Sequence, residues 1–180
     1  MLTSQAPDGV EAVVAWRAWR IVRTPHGCRL WSVTQSLDWP VGEPFVARCP
    51  LSFGAHSAPS AGCRCGVHGA RETQDVTIYT AHHPASADRR VAVGLVSLWG
   101  DVVEGVQGWR ASHAYPRRIL LVPLERAGPR HDDLVTALEL ADYGVPVEIH
   151  EGARKALTDE VVLDWRRVEW AAAIPTISNR

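Results

Sequence analysis

The amino-acid sequence predicts an α+β fold: a bent, mostly antiparallel sheet or partial barrel with one or two helices and one long loop. Three observations predict it. The run Val91 to Val103 carries apolar residues on both faces and contains Gly94 and Gly100, the pattern of a buried strand in a strongly curved sheet. Asp132 to Gly144 has helical spacing with stop signals at both ends, and so reads as a helix. Between residues 38 and 70 prolines alternate with glycines and apolar pieces shrink to fragments such as Phe45-Val46-Ala47, so that stretch reads as a loop.

Taken in order, Trp16 to Val22 and Leu30 to Thr34 mix large apolar and cationic residues on either side of Pro25-His26-Gly27. Two antiparallel strands joined by a short loop follow from that arrangement. After the 38–70 loop, Glu72 to His83 spaces Val76 and Tyr79 as a short helix that Pro84 stops. In Val91 to Val103, Val91, Val93 and Leu95 lie on one face and Ala92, Val96 and Leu98 on the other. The break at Glu104 to Gly108 has hairpin length, so Trp109 to Ala114 is expected to return beside the first strand. Another strand, Arg118 to Val122, is expected after Pro116, and Pro123 to His131 as a polar loop. For the next helix, Asp132 or Asp133 is the expected N-cap, Leu134, Leu138 and Ala141 the buried stripe, and Gly144 the C-cap. Val145 to Ile149 reads as a strand, Ala153 to Val162 as a second helix, and Trp165 and Trp170 as cover for an edge of the core.

The chain has 180 residues, of which 46% are hydrophobic and 22% charged. That length and balance suit one domain over 1–180, with 38–70 as a loop inside it and 131–180 as a C-terminal helix-strand-helix portion. A formal net charge of −1 argues against a dedicated nucleic-acid or membrane-surface binder. Met1 to Gly9 has no Lys or Arg and no apolar run behind it, so no secretory signal is read and a cytoplasmic location is expected. Lys155 is the one lysine among 19 basic residues, and 8 of the aromatic residues are tryptophan. Arg-rich, Trp-rich chains suit cation–π and stacked packing, although codon bias toward arginine accounts for much of the excess.

A structureless loop of some 30 residues inside a compact fold needs something other than a core to order it. Cys49, His56, Cys63, Cys65 and His68 all fall in it, spaced C-x6-H-x6-C-x-C-x2-H. Zinc takes four N or S donors, Cys3His being a common structural set. Thiolates neutralise the dication, and binding supplies folding free energy to a segment with little apolar surface. The expected cofactor is therefore Zn2+, held by Cys49, Cys63 and Cys65 with His56 or His68 as the fourth donor. Gly62 and Gly66 are expected to let the chain turn around the cysteine pair. Cys28 stands apart and reads as core.

The stretch His56-x-x-Pro59-x-x-x-Cys63-x-Cys65-Gly66, followed by Val96-x-Leu98-Trp99-Gly100-x-Val102-Val103-Glu104 and by Gly108-Trp109-Arg110-Ala111-x-x-Ala114-Tyr115-Pro116, resembles a loosely defined group of small proteins seen mainly in actinobacteria and their phages. The resemblance covers roughly residues 37 to 122 and implies no activity. In that pattern an aromatic follows the Cys-Gly pair, and here His68 stands in its place. That departure makes His56 the better fourth ligand.

A second constellation, Trp99, Trp109 and Arg110, sits on two paired strands and is expected to form a flat aromatic surface with a cation for a ligand; core packing, with Glu104 and Arg110 as an exposed ion pair, is the competing reading. His82 and His83 read as solvent-exposed, and His113, His131 and His150 have no catalytic partner set by spacing. No phosphate-binding loop, dinucleotide fingerprint, metalloprotease helix or deaminase motif is present. Taken together, the residues point to a zinc-stabilised binding module with a protein or small-molecule partner rather than an enzyme. The alternatives are a nucleic-acid binder using Arg17, Arg20, Arg110, Arg117 and Arg118, and a zinc enzyme with an open coordination position.

Overall fold

A computed structural model describes residues 11–51, 56–81, 90–122 and 131–149. The readings made for Met1 to Gly9, His82, His83, residues 123–130, His150 and the tail with Trp165 and Trp170 lie outside the described residues. Among these residues the strands are β1 (Val13–Thr24), β2 (Gly27–Ser32), β3 (Phe45–Val46), β4 (Val67–Ala70), β5 (Arg90–Glu104), β6 (Gly108–Leu121) and β7 (Val147–Ile149). The helices are α1 (Gln74–Ala81) and α2 (His131–Leu140), the latter running into a 3-10 turn at Ala141–Tyr143 that Gly144 caps with φ 68°.

The three long strands form the body of the sheet. β1 pairs antiparallel with β5 from Val13↔Leu98 to Ile21↔Arg90, and β5 with β6 from Ala92↔Leu121 to Glu104↔Trp109. β2 returns on the other edge of β1, Thr24 facing Gly27 across the predicted turn. Along its second edge β6 takes β4 at Ala111 to Gly108, β3 at Ala114 and His113, and β7, in parallel, at Ile119 to Leu121. Because β4 also touches β1 through the pair Trp16↔Ala70, the path β1-β5-β6-β4 comes back on itself as a partly closed ring.

Apolar residues on both faces of β5 bury both faces. Ala92, Val96, Leu98 and Trp99 join the main core with Trp19, Leu30, Trp39, Tyr115, Ile119 and Leu121, while Val91 and Val93 pack outward with Ala18 and Val76. Register shifts lie beside both glycines, between Leu95 and Val96 and between Trp99 and Val102. At Gly94 the strands are so close that a Cβ would sit 1.9 Å from the Arg118 carbonyl oxygen, which only glycine tolerates.

Three expectations need correction. First, Pro116 does not separate two strands, since β6 runs through it. Val96 faces Pro116 and Leu95 faces Arg118, so the extra residue Arg117 makes a bulge and the missing proline N–H falls where the ladder is already broken. Second, α2 is rotated from its predicted face. Leu134 and Leu138 are 52% and 74% exposed and Ala141 is exposed too, whereas Asp133, Thr136 and Leu140 are buried. The cause is Arg90, a buried cation at the start of β5 that bonds the Asp133 carboxylate, the Thr136 hydroxyl and the Asp132 carbonyl. Breaking a buried ion pair costs about 3–5 kcal/mol, at least as much as leaving two leucines half to three-quarters exposed. Asp133 is consequently a charge partner inside the first turn, not a cap. Third, the 38–70 segment ends in β4, and its first part is ordered by the core. Trp39 is fully buried, stacked at 5.0 Å on Phe45 and edge-on to Trp19 at 5.6 Å.

Two buried tyrosines tie that first part down. The Tyr143 hydroxyl donates to the Trp39 carbonyl at 2.8 Å and accepts from the Leu30 N–H at 3.0 Å. Tyr115 donates to the Tyr143 carbonyl and accepts from the Gly42 N–H, both at 2.9 Å. Burial, partly offset by the Leu30 N–H, pushes the Tyr143 hydroxyl up to about 12 and raises Tyr115 as well.

Two predictions follow from this packing. Asp133→Asn is expected to cost about 3–5 kcal/mol in urea unfolding, and Leu134→Gln and Leu138→Gln less than about 0.5 kcal/mol each; the reverse ranking would mean that the leucine stripe is the buried one. A tyrosine raised in the fold stabilises it while protonated, and that stability is lost as pH rises from the unfolded value near 10 through the folded value. Between about pH 10 and 12, Tyr143→Phe should therefore lose less stability than wild type, each relative to its own value at neutral pH, as read by urea unfolding at each pH; an equal loss would show that Tyr143 does not carry the alkaline transition.

Candidate metal centre

The spine β6 decides where the cysteine loop begins and ends. β3 lies against Ala114 and His113, β4 against Ala111 and Arg110, and the Ala47 N–H continues the ladder to the Ser112 carbonyl at 2.8 Å. The chain therefore leaves β6 at Ala47 and returns to the same edge at Val67. Cys49 follows the departure by two residues and Cys65 precedes the return by two, so the ends of the loop meet before any ligand binds.

Within that loop, the donor atoms of Cys49, His56, Cys63 and Cys65 all lie within 4.8 Å of one another. The Cys49 and Cys63 sulfurs are 3.7 Å apart, and the Cys65 sulfur is 3.4 Å from His56 Nε2. Four donors at about 2.0–2.3 Å from a central ion stand about 3.5–3.8 Å apart along the edges of a tetrahedron. The spacing fits, and these four groups can hold a metal ion. None of the four cysteines is in a disulfide. Burial pushes the Cys65 thiol up, and the neighbouring Cys63 and Cys49 add to the rise against a hydrogen bond from the Ser60 backbone, so crowding opposes thiolates here until a cation joins them.

Arg110, on β6, clamps the loop from below. One of its guanidinium nitrogens donates to the carbonyls of Ser60 at 3.3 Å, Cys63, and Cys65 at 2.9 Å. The Cys63 N–H closes a turn on the Ser60 carbonyl at 3.1 Å. Gly66 has φ +116°, and a Cβ there would meet the Pro59 Cβ at 3.0 Å and the Arg110 Cβ at 3.2 Å, so the predicted tight turn is real at Gly66; Gly62 has open space and no such demand. His68, the alternative donor, points away on β4, its Nε2 2.9 Å from the Arg64 carbonyl.

The second constellation is dispersed. Trp99 is 5% exposed, in the core, stacked on His113 at 6.0 Å, and a ring so buried offers no face to a ligand. Trp109 lies under the Arg71 guanidinium at 4.3 Å, and Arg71 pairs with Glu104 at 2.7 Å; Arg110 is thus neither the partner of Glu104 nor part of a flat aromatic surface. The proposed arginine patch is divided in the same way. Arg17 bonds the His68 carbonyl and Ser32 Oγ, Arg20 the Ser32 carbonyl, and Arg118 both oxygens of Glu148. Cys28 is buried in the core as expected, burial and the Glu139 carboxylate raising its thiol.

Two features escaped the sequence. The Arg110 clamp is visible only once β6 passes under the loop. A cleft of about 450 Å3 opens beside Cys49 and His56, lined also by Asp101, Ser112 and His113, where Ser112 Oγ accepts the Asp101 N–H at 2.9 Å and lies 2.9 Å from His113 Nδ1. The strand break at Gly100 was its one local signal. Among described residues no helix is long and apolar enough to cross a membrane.

Neither protein-family models nor curated proteins nor solved structures give a match to the chain.

Removing the clamp tests that geometry. Arg110→Met deletes a charged donor from three carbonyls and is expected to cost about 1.5–3 kcal/mol, with faster tryptic cleavage after Arg48 and Arg64, which are exposed at either side of the cluster. Unchanged stability and cleavage would show the loop to be held without it.

Proposed function

We propose that this protein is a zinc-stabilised, non-catalytic binding domain in which Cys49, His56, Cys63 and Cys65 hold one Zn2+ ion. The observation that carries the reading is the pair of donor separations, 3.7 and 3.4 Å, on opposite edges of what a tetrahedral ion requires. Three thiols and an imidazole are also the chemistry zinc prefers, and four protein donors make a closed site, which holds structure rather than activating water. Three thiolates on a dication leave one net negative charge. Arg110, bonded to the carbonyls of both Cys63 and Cys65, is the cation beside it, a neighbouring group of the kind that tunes and orients metal ligands.

The role of the ion in this reading is to hold Cys49 beside the His56–Cys65 stretch. Trp39 and Phe45 bring core order as far as β3, and beyond it Leu51 is exposed. Metal binding would supply that part of the folding free energy. Free thiols persist in a reducing compartment, which supports a cytoplasmic location, and the partner is read as a protein or small molecule engaged by the surface that the ordered loop completes.

Purified wild-type protein is expected to contain about one zinc per chain. Cys63→Ser should lose the metal and unfold the loop, seen as tryptic cleavage after Arg64, while β1, β5 and β6 keep their far-ultraviolet signal. A cobalt-substituted site should show tetrahedral thiolate absorption that added azide does not alter; an azide-sensitive spectrum would mean an exchangeable position and an enzyme. A metal-free wild type with an ordered loop would overturn the zinc reading altogether.

A further inference from the structure

A cavity of about 980 Å3 opens where the ring of strands is weakest. On its second edge β1 pairs with β4 at Trp16 and with β2 from Trp19 onward, leaving Arg17 and Ala18 between the two. Arg17 spans the gap: one guanidinium nitrogen donates to the His68 carbonyl, the other lies 3.4 Å from Ser32 Oγ, and the group sits 4.9 Å from the centre of the Trp39 ring. Those acceptors are all neutral, and no carboxylate pairs with Arg17 among the described residues. Its Nε is buried with no partner. Burial lowers it to about 10, so it remains a cation at neutral pH, desolvated and without a counter-charge.

The same cavity is lined by Arg48 and Arg64 and by one carboxylate, Asp75. Both arginines are exposed and have no partner among the described residues. With Arg110 set against the proposed metal site, the lining carries three further arginines, Arg17, Arg48 and Arg64, and one acid, Asp75. An unmatched excess of about two positive charges suits a dianion, and guanidinium forks bind phosphate oxygens bidentately. Val76 and Tyr79 of α1 line the cavity with Phe45 and Leu37, an apolar surface of the sort that holds the body of a small ligand, and the volume lies within the range of small-molecule sites, about 300–1,000 Å3.

We propose that this cavity binds a small phosphate monoester with an apolar or aromatic body, its phosphate on Arg17, Arg48 and Arg64 and its body against Tyr79 and Val76. This deepens the binding-domain reading by naming the ligand class, and it rests on that reading because residues Cys63 to Gly66 form one wall.

Phenyl phosphate titrated into full-length protein of measured zinc content, at about pH 8 so that the phosphate is a dianion, is the test, read by calorimetry and amide chemical shifts. Saturable binding is expected, at least about tenfold weaker for phenylacetate and for the Arg48→Gln/Arg64→Gln double variant. Arg17→Gln should abolish it; if that variant does not fold, the double variant, which touches only exposed side chains, decides. Zinc-loaded protein that fails to bind phenyl phosphate, or binds phenylacetate equally well, overturns this inference and leaves the zinc reading standing. A single-stranded oligonucleotide that binds far more tightly than phenyl phosphate, with a steep salt dependence, would overturn it in favour of a nucleic-acid groove. Metal-free protein would instead count against the zinc reading, whatever the phosphate titration returned.

Discussion

One edge of one strand organises this molecule. β6 gives its first edge to β5 and divides the second among β4, β3 and β7. Backbone N–H and C=O groups on a buried strand have to be paired, and short segments from distant parts of the chain do the pairing here. Because β3 and β4 dock side by side, the ends of the cysteine loop are already together, and the entropy of closing it is met by sheet hydrogen bonds. Four donors can then converge without a core beneath them. Were β3 to slip along β6 by a residue, the side chains of Phe45 and Val46 would exchange faces, Phe45 would leave Trp39, and Cys49 would be carried away from Cys63.

Arginine supplies further fastenings between elements. Arg90 locks α2 to β5 through Asp133 and Thr136, Arg118 links β6 to β7 through Glu148, Arg17 bridges the ends of β2 and β4, and Arg110 gathers three loop carbonyls. A planar fork with several N–H groups can serve acceptors on two elements together, which an ammonium on a flexible stem does less well. The abundance of arginine in this chain therefore has structural uses beside codon preference. Tryptophan serves as the flat counterpart, under Arg17 at Trp39 and under Arg71 at Trp109.

Much of the fold was legible because its signals are local. The hairpin at Pro25-His26, the strand with apolar residues on both faces, the glycines beside register shifts and the glycine cap at Gly144 each involve neighbours in sequence. The candidate site was legible for a related reason: sulfur and imidazole donors are rare, and their clustering between 49 and 65 survives ignorance of the fold. What misled was amphipathic reasoning applied to α2. Leu134 and Leu138 make the better apolar stripe, yet a cation 43 residues away in sequence turns the other face inward, because stranding a buried charge costs at least as much as wetting two leucines.

By itself, then, the amino-acid sequence determined the longer strands, the helices and the three cysteine donors, since periodicity, turn chemistry and ligand type are properties of short stretches. Tertiary structure alone decided that His56 rather than His68 joins the cysteines, that Trp99 is core, that Arg110 is a loop clamp, and that Arg17 has no acid partner among the described residues. Each of those outcomes depends on which backbone passes beside which, and pairing across a sheet is set by the burial and hydrogen-bond satisfaction of the whole chain rather than by any segment of it.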